Sequence, residues 1–94
     1  MTTSWAERIR EVEVRGGQRC EYCRMHQALQ GATFHVEHIL PSSAGGSDEL
    51  ANLAWACPSC NLKKSNKTLR EFIAQYGMNR SLIEQNLERL GKVF

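Results

Sequence analysis

No apolar run in this chain approaches the roughly 18 residues that a membrane-spanning helix needs, and the first turn is too polar for a secretory signal. Repeats and low-complexity tracts are also missing. Charge of one sign is scarce in excess: the formal balance is +2, so composition alone does not announce a nucleic-acid binder. With 94 residues and 41% of them hydrophobic, the chain can build one modest core, near the lower size at which a core suffices without help. A metal clip is a natural supplement at this size.

Four cysteines are present, and they come as two Cys-x-x-Cys pairs, Cys20/Cys23 and Cys57/Cys60. Without an export signal the expected setting is cytoplasmic, of bacterial or phage type, where thiols more often hold metal than each other. Each Cys-x-x-Cys turn presents two sulfurs on one side of a tight knuckle, and two knuckles complete a closed tetrahedral Zn²⁺ site with a structural role. Two disulfides or a redox pair are the alternatives. The doubled spacing favours zinc.

Basic residues flank both knuckles: Arg8, Arg10, Arg15, Arg19 and Arg24 near the first, Lys63, Lys64, Lys67 and Arg70 after the second. A zinc ion joining the two segments brings these charges toward one surface, which attracts phosphate backbones. Ordinary solvated charge is the plainer explanation of the same residues.

Ser4-x-x-Glu7 has the form of a capping box, and Ile9 and Val12 follow on one face, so a short N-terminal helix ending at Gly16-Gly17 is expected. Residues 25 to 31 read as a loop or short helix. Ala32 to Leu40 reads as a strand stopped by Pro41, then a small-residue loop to Asp48, a second strand over Leu53 to Cys57, and a helix from about Ser59 to Asn66. Leu69, Phe72, Ile73 and Tyr76 share a helical face, with Thr68 as cap and Gly77 as stop. Ser81 then caps a second C-terminal helix with Ile83, Leu87 and Leu90 on one face. Both stripes are read as core, with a dimerisation face as the alternative.

Between the knuckles lies Phe34-His35-Val36-Glu37-His38-Ile39-Leu40-Pro41, with Asn52 further on and Asn61 directly after the last cysteine. A metal-dependent phosphodiesterase needs a divalent cation against the phosphate and a base to activate water. Mg²⁺ favours oxygen ligands and keeps several waters, so the Glu37 carboxylate and the Asn61 carboxamide suffice. His38 can accept a proton at neutral pH. In a regular strand Glu37 and His38 point to opposite faces, so both reach one site only if the strand ends or bulges there. His35 lies on Glu37's side and is a secondary candidate. Each residue also has an ordinary structural role open to it: Asn61 as a helix cap, Asn52 as a turn former, Lys64 as a solvated lysine.

Taken in order, Cys20-x-x-Cys23, Phe34 to Pro41, Gly45-Gly46, Asn52-Leu53 and Cys57-x-x-Cys60-Asn61-x-x-Lys64 resemble an HNH endonuclease of the zinc-stapled ββα-metal (His-Me finger) branch. The resemblance spans residues 20 to 66. It implies an α+β fold built on a small ββα-metal module, which the N-terminal helix and the C-terminal helical pair read from the pattern would flank, and the length of the chain makes residues 1–94 a single domain. It implies DNA as partner, a helix turned toward the minor groove, and Mg²⁺ or Mn²⁺ for catalysis beside structural Zn²⁺. Residue by residue, His38 resembles the general base, Glu37 the acidic metal ligand, Asn52 the residue that orients the base, and Lys64 a phosphate contact. Asn61 stands where a histidine often does, making this an HNN variant. Glu37 replaces the commoner Asp, and Ser65-Asn66 stand where a glycine usually follows the helical lysine. A non-catalytic zinc module that binds nucleic acid or a protein is the rival reading, and a purely structural zinc ribbon a third. So small a module leaves target choice to relaxed specificity, nicking or recruitment by a protein partner. It acts as monomer or homodimer, with no role at a membrane.

Overall fold

A computed structural model describes residues 4–30, 33–77 and 85. The expected second C-terminal helix, from Ser81 to Gly91, lies outside the described residues apart from Gln85.

The first helix, α1 (Trp5–Gly16), starts where the sequence places it: the Ser4 side chain accepts from the Glu7 amide. It stops at Gly17, which adopts φ 62°, a left-handed conformation that glycine takes without a Cβ penalty. The first cysteine knuckle follows, then the single turn α2 (Gln27–Gln30). Strand β1 (His35–His38) pairs antiparallel with β2 (Leu53–Ala56), His35 opposite Ala56 and His38 opposite Leu53. Helix α3 (Pro58–Lys64) and helix α4 (Leu69–Tyr76) complete the order. The α+β class and the strand–loop–strand–helix order match the expectation.

Both strands are shorter than expected, for reasons in the chain. Cys57 leaves the ladder to become the N-cap of α3, its sulfur accepting from the Cys60 amide, so His35 is the last residue with a partner. At the other end the Leu40 amide donates to the Asn52 side chain rather than to a strand. Since Cys57 caps α3 and Asn61 sits inside it, Asn61 is not the helix cap.

All four residues of β2 are buried, as expected of an apolar Leu-Ala-Trp-Ala run covered on both sides. Helix α1 packs on this strand so closely that a Cβ at Gly16 would come within 3.0 Å of Trp55. Val12, Phe34, Ile39, Leu53, Trp55, Leu69 and Phe72 form the core with three of the four cysteines. Helix α4 opens with a complete capping box between Thr68 and Glu71. It buries Leu69 and Phe72, and the Phe72 ring meets Tyr22 edge-on at 5.6 Å. Tyr76, the outer end of the expected stripe, is exposed.

Ser65, standing where the family pattern favours glycine, holds φ 47°. A side chain there costs on the order of 1–2 kcal/mol. Among the described residues no helix is long and apolar enough to cross a membrane.

Candidate active site and zinc staple

The four cysteine sulfurs lie within 4.8 Å of one another, and all four are free thiols. Cys23 Sγ and Cys57 Sγ, one from each knuckle, are 3.8 Å apart. A tetrahedron with Zn–S bonds of about 2.3 Å has an edge of roughly 3.8 Å, so the donor set fits zinc in kind and spacing. Hydrogen bonds from the Cys20 and Cys60 thiols lower Cys23 to about 3, and the same pairing pushes Cys60 up. Cys23 is thus readily deprotonated while Cys60 resists it, and metal ligation would have to displace the Cys60 proton. The staple ties the chain just after α1 to the start of α3.

Strand β1 ends at His38, and the consecutive residues Val36, Glu37 and His38 all border one cleft at that end. Glu37, His38 and Asn61 line one cleft of about 420 Å³, together with Ser42, Ser43 and Asn66. His35 is exposed and is not part of this cleft's lining.

Glu37 is buried and firmly held. Oε2 accepts from the Tyr22 hydroxyl, and Oε1 lies 2.5 Å from the Lys64 ammonium, which also donates to the His38 carbonyl at 2.8 Å. Burial raises the Glu37 carboxyl above its ordinary value, with Lys64 opposing; burial likewise lowers Lys64. Tyr22 is raised well above its usual range, first by burial and then by the Glu37 charge, so it stays a donor.

Lys64 is therefore not a surface phosphate contact: its side chain is fully buried beneath the carboxylate. The physical reason is helical spacing. Lys64 follows Cys60 by four residues and shares its inward face. Lys63 is exposed and Lys67 partly so, and both ammonium groups lie 5.7 Å from the Tyr76 ring centre. The arginines near the first knuckle do not form one outward basic patch either. Arg15 turns inward to the Leu50 and Leu53 carbonyls and to Glu21, whose carboxylate also receives the Trp55 amide.

Asn52 is buried in the loop between the strands. Its Oδ1 accepts from the Leu40 amide at 2.8 Å, and its Nδ2 donates to the carbonyls of Leu40 and Ser47 at 3.0 and 2.7 Å. This clamp needs Gly46, where a Cβ would fall 1.7 Å from the Leu40 oxygen and 2.9 Å from Asn52 Nδ2. The Leu40–Asp48 loop is thereby fixed beside His38.

Tyr22 escaped the sequence reading, although its position inside a knuckle marked it as pointing near the staple. Residues 20–67, half of the chain, match the family model for HNH endonuclease. The strand–strand–helix module with its cluster of four cysteines agrees, and the chain belongs to the HNH endonuclease family. No curated protein matches it.

Proposed function

We propose that this protein is a divalent-metal-dependent DNA endonuclease that hydrolyses phosphodiester bonds, nicking or cutting both strands. The observation that carries the reading is the shared cleft of Glu37, His38 and Asn61, assembled from β1 and α3. The donor set suits a hydrated Mg²⁺ or Mn²⁺: one carboxylate, whose oxygens each keep a lone pair beyond their bonds to Lys64 and Tyr22, and one carboxamide. A cation held by Glu37 and Asn61 would supply positive charge against the scissile phosphate and the departing oxygen.

The chain's own residues do the rest. Lys64 and Tyr22 hold the Glu37 carboxylate in one orientation from behind. Asn52 fixes the loop that borders His38. His38 takes the proton of the attacking water, and Lys63 and Lys67 offer cations to the phosphate backbone.

Supercoiled plasmid tests this directly. Wild-type protein should nick it in Mg²⁺ or Mn²⁺, and His38→Ala should lose about 10²–10⁴-fold in rate while keeping its fold. A His38→Ala variant as fast as wild type removes the base. No metal-dependent nicking by the wild type favours the rival, a non-catalytic zinc-stapled nucleic-acid-binding module, to which the hold of a protein donor on each Glu37 oxygen lends weight.

A further inference from the structure

His38 is gripped from two sides by residues that the family pattern did not point to. Its Nε2 lies 2.8 Å from Oδ1 of Asp48, and its ring stacks on Trp5 with centres 6.0 Å apart and planes 12° off parallel. Trp5 is the first residue of α1, which lies before the matched segment 20–67. The same helix reaches the other half of the contact, since Arg8 Nη1 donates to the Asp48 carbonyl at 3.0 Å. The preceding residue, Ser47, is tied to Asn52. Asp48 is thus anchored on both sides of its Cα while its carboxylate faces the imidazole.

We propose that Asp48 is a positioning residue for His38, holding the ring so that Nε2 carries the proton and Nδ1 presents the lone pair, with Trp5 fixing the ring plane. This rests on His38 being the general base. A carboxylate only accepts, so the neutral imidazole opposite it must donate from Nε2. Nδ1 is then the atom that takes a proton from water. Once it has done so, the carboxylate faces an imidazolium.

The contact is well suited to orientation and poorly suited to stability. The Asp48 side chain is 61% exposed and that of His38 26%, and pairs so open to solvent add little to folding. Removing Asp48 should therefore leave the melting temperature nearly unchanged while activity falls. A simple charge effect on DNA binding has the opposite sign: deleting a negative charge beside the cleft would tighten binding and lower KM.

The test compares plasmid nicking by wild type, Asp48→Ala, Asp48→Asn, Glu49→Gln and His38→Ala, with the His38 tautomer read by ¹⁵N NMR. Glu49 is an exposed neighbouring carboxylate and controls for net charge. The expected result is a fall in kcat of about 10–100-fold in Asp48→Ala, with KM unchanged and Glu49→Gln like wild type. Wild-type His38 should show the Nε2-protonated neutral form, and Asp48→Ala should mix in the Nδ1-protonated one. Undiminished kcat in Asp48→Ala, an equal loss in Glu49→Gln, or a wild-type ring protonated at Nδ1 overturns the proposal. Full activity in His38→Ala would instead sink the general base, and the NMR arm would still decide what Asp48 does to the ring.

Discussion

Chelating zinc is expected to abolish cooperative folding. Cys20, Cys57 and Cys60 are part of the core itself, and the staple joins the segment after α1 to the first turn of α3. Structural zinc in small modules contributes about 10–16 kcal/mol of apparent binding free energy, whereas a domain's net stability is about 5–15 kcal/mol. The first is of the same size as the second or larger, so its loss removes most or all of the margin. Four thiols, three of them buried, would also remain where the metal had joined them. The cleft would go too, because Tyr22, which orients Glu37, sits inside the first knuckle. Circular dichroism melts with and without a strong chelator measure this, and Cys60→Ser should behave like the chelated protein. A chelated sample that still melts cooperatively within a few degrees of the untreated one would show that the thiols are not a structural metal site.

The second large effect concerns the buried pair beneath the cleft. Glu37→Gln leaves the Lys64 ammonium in the interior without its counter-charge, which costs about 3–5 kcal/mol. Glu37→Gln combined with Lys64→Met removes both charges and should recover most of that loss. Desolvation works against the charged form at both ends of the pair, in keeping with a pair whose joint removal is tolerated. Activity should be absent in both variants, since neither retains the carboxylate proposed to hold the cation. Denaturant titration beside the nicking assay separates the two roles of Glu37. A single Glu37→Gln variant as stable as wild type would contradict the buried pair, and an active double variant would remove Glu37 from catalysis.

What the sequence made legible was chemistry set by short spacings. The two knuckles, the caps of α1 and α4, and the run from β1 through Asn52 to α3 are each local patterns, and each stands where the residues implied. Lys64 was legible in principle from its four-residue step after Cys60. Its charge suggested a solvated lysine, but the helix gives it no outward direction. Arg15 followed the same logic at the end of α1. Asp48 and Trp5 carried no such signal. Asp48 meets His38 through the curl of the loop between the strands, and Trp5 meets it only because α1 packs back against the sheet, relations that no short spacing encodes.

Anomalous diffraction from crystals soaked in Mn²⁺ tests the central claim most directly, that one cleft gathers a carboxylate, a carboxamide and an imidazole around a cation. The expected result is a manganese peak in that cleft against Glu37 and Asn61, lost in Glu37→Gln/Lys64→Met crystals. Manganese bound elsewhere on the molecule, with the cleft empty at saturating concentration, would contradict it.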